Sequence, residues 1–203
     1  MAEERIVIHS GELRIEGLFE NLPGEKGVVV THPHPLYGGD MHNHVVETVC
    51  RAYREKGYSS LRFNFRGVGG SDGEYNDGKG EQEDVCSAIE FIHHFEKKEI
   101  DLVGYSFGAW VNMLAMKKLT KVKRMIMVSP PVDMMDFSFV SPDPRIKLII
   151  AGTKDEFGDI KTIRDAMRVW NPDADLRMIE GADHFYLEKT ALLKSEIEGF
   201  LDV

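Results

Sequence analysis

Apolar positions along this chain switch repeatedly between unbroken or alternating runs and a 3.6-residue rhythm. Arg5 to His9 and Leu13 to Phe19 read as two opening strands, and no helix separates them, so an antiparallel start is expected. Gly27-Val28-Val29-Val30-Thr31 is a continuous β-branched run, which suits a strand covered on both faces. Val46, Val49, Cys50 and Tyr53 then recur at helical spacing, and Gly57 follows in the place of a C-terminal cap. A strand is expected from Ser60 to Phe65, a Gly-rich loop from Gly67 to Gly80, and a helix carrying Val85, Ala88, Ile89 and Ile92. The strand Ile100 to Gly104 leads into a helix with Phe107, Trp110, Val111, Leu114 and Ala115 on one face. Strands at Arg124 to Val128 and Ile146 to Ala151 come next. A helix with Ile160, Ile163, Met167 and Trp170, a strand from Leu176 to Ile179, and a helix with Leu193, Ile197, Phe200 and Leu201 complete the series. This rhythm predicts a single α/β domain over residues 1–203, with a mostly parallel sheet and helices on both faces. Pro130 to Pro144, with four of the eight prolines, is the least regular stretch and too short for a domain.

Composition narrows the class without naming a chemistry. The 203 residues carry 42% hydrophobic and 29% charged side chains, as ordinary globular chains do. A net charge of −9 argues against a nucleic-acid-coating surface, since phosphates are held by Lys and Arg. No apolar run nears the roughly 20 residues that span a bilayer. Met1-Ala2-Glu3-Glu4-Arg5 is polar where a secretory signal is basic and then apolar, so a cytoplasmic location is expected. Cys50 and Cys86 fall in helical patterns and read as buried free thiols.

The sharpest signal is Gly104-Tyr105-Ser106-Phe107-Gly108, set between an apolar strand and an amphipathic helix. A nucleophile elbow requires that corner: strand and helix come so close that only glycine fits at either side, and Ser106 is lifted to where helix N–H groups are free. The bland reading is a Ser that merely caps a helix. Such a nucleophile needs a base and an orienting acid, in chain order Ser, acid, His. Of eight histidines only His184 follows Ser106, on a loop just past a strand. For the acid, Asp155 lies one short turn past the strand ending at Ala151, while Asp133, Asp136 and Asp159 lie deeper in loops.

Together these residues resemble an α/β-hydrolase from about Gly27 onward. Matching features are Gly104 to Gly108, the Gly-rich Arg66 to Ser71 after the fourth strand, Gly152 to Asp155, and Gly181 to His184. His32-Pro33-His34-Pro35-Leu36-Tyr37-Gly38-Gly39 resembles the oxyanion loop of that superfamily. It is most similar to a capless, dienelactone-hydrolase-like group whose loop begins His-Pro-His-Pro. Pro33 departs from the commoner pattern, and proline has no N–H to donate. The resemblance therefore implies oxyanion donors at the Phe107 and His34 N–H groups, with Leu36 in reserve.

It also implies a serine hydrolase acting on a small ester or thioester through an acyl-enzyme. Ser106 would be the nucleophile, His184 the base and Asp155 the acid, with no cofactor and no metal. Pro130 to Pro144 is too short for a helical lid, which leaves an open mouth lined by Leu36, Tyr37, Met134, Met135, Phe137 and Phe139. The expected partner is a small-molecule substrate, neither nucleic acid nor membrane, for a monomer or small homo-oligomer. Two alternatives compete. One is a metal-dependent hydrolase using His32 and His34, with His42 and His44 nearby; the other is a non-catalytic binding protein on the same fold. Gly67 to Gly73 is no dinucleotide fingerprint, because Asp72 stands where the third glycine belongs.

Overall fold

The computed structural model describes residues 3–202, so Met1 and Ala2 of the N-terminal stretch lie outside the described residues. Eight strands form one sheet: β1 (Glu4–Ser10), β2 (Leu13–Glu20), β3 (Lys26–Thr31), β4 (Ser59–Phe63), β5 (Glu99–Tyr105), β6 (Val122–Val128), β7 (Ile146–Gly152) and β8 (Asp175–Ile179). Their spatial order is β1-β2-β4-β3-β5-β6-β7-β8. The first two pairings, β1 with β2 and β2 with β4, are antiparallel, and all the others are parallel. The order reverses between β3 and β5, and an open α/β sheet places its sites at the carboxyl edge beside such a reversal.

Among the described residues five α-helices cover the sheet: α1 (His44–Glu55), α2 (Glu81–His94), α3 (Phe107–Ala115), α4 (Ile160–Trp170) and α5 (Thr190–Leu201). α1 and α5 close one face around Val28, Val30, Val103 and Leu148. α2, α3 and α4 close the other around Val29, Leu102, Met127 and Ile149. Alternate residues of the same strands feed opposite cores, which is why β3 and its neighbours are apolar without a break. Among the described residues no helix is long and apolar enough to cross a membrane.

Three details differ from the sequence expectations. Strand β4 stops at Phe63 rather than Phe65. Asn64 N–H still reaches the Glu16 carbonyl, but Ser71 Oγ takes the return bond by accepting from Glu16 N–H and donating to the Asn64 carbonyl, and Phe65 N–H goes to the His32 ring. Cys50 is buried, but Cys86 is only half-buried; both are free thiols. Phe137 does not reach the mouth. It packs on Trp170 in the core beneath α4, and Phe139 packs beside it against Trp110. The cause is the fold of the Pro-rich connection, which Trp110 pins by donating its indole N–H to the Asp136 carbonyl at 2.8 Å. Aromatic side chains on a tethered loop bury themselves where they can, and here that is away from the opening.

Candidate active site

β5 ends at Tyr105 and α3 begins at Phe107, so the whole reversal falls on Ser106, held at φ 54° and ψ −120°. Space explains the flanking glycines. A Cβ on Gly104 would lie 2.5 Å from the Ala109 backbone, and one on Gly108 would lie 2.5 Å from Thr31 Oγ1 and 2.7 Å from its carbonyl. Nothing larger fits where strand and helix cross so closely. A positive φ on a serine is strain at a site whose geometry the surroundings enforce.

Ser106 Oγ donates to His184 Nε2 at 2.8 Å. His184 Nδ1 lies 2.9 Å from both oxygens of Asp155. A carboxylate only accepts, so the imidazole proton sits on Nδ1 and leaves Nε2 free to take the serine proton. The Asp155 side chain is fully buried. Burial pushes its carboxyl up, but hydrogen bonding and charge at His184, then Ser129 and the Phe157 N–H, outweigh this and hold it below the ordinary value. The structure thus brings together Ser106, Asp155 and His184 from three separate strand ends. It takes the other aspartates elsewhere. Asp159 caps α4 by accepting from Lys161 N–H, Asp133 accepts from Asp159 N–H, and Asp136 accepts from Ser138 N–H.

The sequence pattern does not show the residues that hold Asp155 and His184 in place. Ser129, at the end of β6, faces Asp155, and its Oγ is 2.9 Å from the Tyr186 hydroxyl. Tyr186 is fully buried two residues past His184, and Tyr105 donates to the His184 carbonyl at 2.9 Å. Ser129 and Tyr186 fall in no motif, and Tyr105 is only the variable residue of the elbow; the assembled sheet alone brings the three to Asp155 and His184.

On the opposite wall, His32 is buried, with Nδ1 donating to the Pro33 carbonyl at 2.7 Å and Nε2 accepting from Phe65 N–H at 3.0 Å. Both nitrogens are used, and burial pushes the ring down to about 4. His34 Nδ1 accepts from Leu36 N–H at 3.2 Å, and its Nε2 meets the Tyr75 hydroxyl at 3.3 Å. Burial holds this ring below its ordinary value too. The Leu36 amide is therefore engaged, and the Leu36 side chain points to solvent away from the cavity. The reserve donor and that lining position both move off the site. The His34 N–H has no acceptor among the described residues, and the Phe107 N–H opens α3, where no intrahelical partner exists. His42 and His44 diverge: His42 lies 3.9 Å from Glu47, and His44 bonds the Phe185 carbonyl. Among the described residues no three His, Cys, Asp or Glu side chains cluster as ligands.

A half-open cavity of about 610 Å³ lies over Ser106, lined by Tyr37, Phe107, Met134, Met135, Phe157 and Phe185 among others. Met134 and Met135 reach it because their N–H groups fold back onto the Pro131 carbonyl in a tight turn.

The profile of the X-Pro dipeptidyl-peptidase (S15) family matches residues 20–142. An uncharacterized protein of Rickettsia prowazekii is 34% identical over 97% of this chain and 88% of its own. An alpha-beta serine hydrolase homologue from Coxiella burnetii is 31% identical, with a TM-score of 0.91 over 99% of this chain and 98% of that one. The lidless serine hydrolase XC6422 from Xanthomonas campestris is 29% identical, with a TM-score of 0.90 over 100% and 94%. With the same eight-stranded sheet and more than half its length inside the family profile, this chain belongs to the S15 family and is a hydrolase of the alpha/beta serine hydrolase class.

Proposed function

We propose that the protein is a serine esterase or thioesterase acting on a small molecule through an acyl-enzyme, with Ser106, His184 and Asp155 as its triad. The observation that carries this reading is the unbroken chain of hydrogen bonds from Ser106 Oγ through the imidazole to Asp155, opening on the cavity. Ser106 Oγ attacks the carbonyl carbon while its proton passes to His184 Nε2. The negative charge that develops on the carbonyl oxygen is met by the N–H groups of Phe107 and His34, which have no acceptor among the described residues. As the tetrahedral centre collapses, the bond to the leaving group breaks, and His184 returns its proton to that group. Water, deprotonated by the same imidazole, then frees the acid and restores Ser106. Asp155 remains ionised throughout and stabilises the imidazolium. The mechanism calls on nothing but water beyond the chain itself.

The test joins a fluorophosphonate probe with a panel of p-nitrophenyl esters and acyl thioesters. One label per chain is expected, with Ser106→Ala abolishing it and lowering kcat by about 10⁶. Labelling that survives the substitution overturns the assignment.

A further inference from the structure

Resting on the esterase reading, the composition of the cavity wall says which esters belong in it. Its large side chains are aromatic rings and thioethers: Tyr37, Phe107, Met134, Met135, Phe157 and Phe185. Beyond Ser106 and His184, the polar side chains facing the space are those of His34, Asn43 and two tyrosines, Tyr37 and Tyr105. Neither His34 nor Asn43 offers a charge. Burial disfavours the His34 cation, and both ring nitrogens are engaged. The Asn43 amide oxygen caps α1 by accepting from Val45 N–H. Among the described lining residues there is no Lys, Arg, Asp or Glu.

A carboxylate or phosphate entering this space would lose its water and find no counter-ion, which is strongly unfavourable. The overall charge of −9 repels anions as they approach. An ammonium group, such as the free N-terminus of a dipeptide, would find no carboxylate to hold it, since Asp155 is buried behind His184. The rim continues the same chemistry: Tyr37 is 82% exposed, Met134 60% and Phe185 50%. Exposed apolar surface gathered at the mouth of a cavity marks where a ligand is received. Thioether and ring faces together favour flat or compact apolar groups.

We propose that the substrate is an uncharged, largely apolar ester bearing a compact aliphatic or aromatic group. Anionic acyl donors, carboxylate-bearing esters and coenzyme A thioesters among them, are rejected by the walls beside Met134, Met135, Phe157 and Phe185. A peptidase reading a charged N-terminus would need a carboxylate in the lining, and none of the described lining residues supplies one.

The experiment compares p-nitrophenyl butyrate with p-nitrophenyl hemisuccinate, which differ by one carboxylate on acyl chains of equal carbon count. The neutral ester is expected to have a kcat/KM roughly a hundredfold higher at pH 7.5. Placing a cation at either lip, as Met134→Arg or Tyr37→Lys, is expected to raise the anionic-to-neutral ratio about tenfold or more, whatever it does to the neutral rate. Hemisuccinate turned over within a few-fold of butyrate by the native chain overturns the proposal, as does a ratio unmoved by both variants. Should neither ester be hydrolysed and no fluorophosphonate label appear, it is the esterase reading that falls. Charge preference is then read by calorimetric titration of both compounds into Ser106→Ala protein, where equal affinity overturns it.

Discussion

The two walls of the cavity are built by different means. On the side of the elbow and the His32–Gly39 loop, position is set by backbone: glycine contacts at Gly104 and Gly108, and histidine rings bonded to main-chain groups at Pro33, Leu36 and Phe65. On the side of β6, β7 and β8, position is set by side chains meeting one another: His184 on Asp155, Asp155 beside Ser129, Ser129 on Tyr186. The first wall leaves N–H groups at the cavity, and its histidines act there as neutral hydrogen-bonding scaffold and carry no proton from one group to another. The second must hold one proton on one nitrogen, and it uses a polar network to do so. A backbone-built wall should therefore fail as a fold, whereas a side-chain-built wall should fail as chemistry while the fold survives.

The largest effect that sharpens this contrast is Asp155→Asn. The amide can leave the imidazole proton on the wrong nitrogen, so kcat is expected to fall by about 10⁴ while the circular dichroism spectrum stays native. A comparable loss at Asp133→Asn with little change at Asp155 would break the assignment of the acid.

The next effect lies on the other wall and is read as stability. His32 takes up a proton near 6.5 in the unfolded chain but only at about 4 when folded. Between those values the unfolded state binds the extra proton, so stability is lost progressively as pH falls from about 6.5 towards 4. The loss attributable to His32 is about 3 kcal/mol. Urea unfolding across this window should show the native chain falling more steeply than His32→Gln, which has no imidazole to titrate. Parallel curves for the two proteins would remove His32 as the acid-sensitive point of the loop.

The smallest effect returns to the side-chain wall. Tyr186→Phe keeps the ring in its pocket and removes the hydroxyl's contacts with Ser129 Oγ and, at 3.4 Å, the Ile150 carbonyl, so unfolding free energy should drop by about 1 to 2 kcal/mol. Catalysis should fall less than tenfold, because Asp155 keeps its bonds to His184 and the Phe157 N–H. A loss near that of Asp155→Asn would mean that Tyr186 holds the acid on its own.

The same contrast explains what could be read in the chain. The Gly104 to Gly108 elbow is legible because its pattern is short and lies between a strand and a helix pattern, even though the contacts that exclude a Cβ come from Ala109 at Gly104 and from distant Thr31 and His32 at Gly108. His184 is legible because chain order leaves no other histidine after Ser106. Ser129, Tyr105 and Tyr186 are not legible, since each gains its role from a residue 26 or more positions away. The mouth misled for a similar reason. Phe137 and Met134 look alike in sequence, but one lies under α4 against Trp170 and the other stands at the rim.

By itself, the amino-acid sequence determined the alternation of strands and helices, the antiparallel opening, the elbow at Ser106 and the place of His184 as the one histidine after it. All of these rest on short patterns and on chain direction, which a linear sequence records directly. Only the tertiary structure decided which aspartate meets His184, which amide of the His32–Gly39 loop remains without an acceptor among the described residues, and which hydrophobic side chains face the cavity. Those outcomes depend on distances between strand ends that are far apart along the chain, and a sheet sets such distances only once all of its strands have paired.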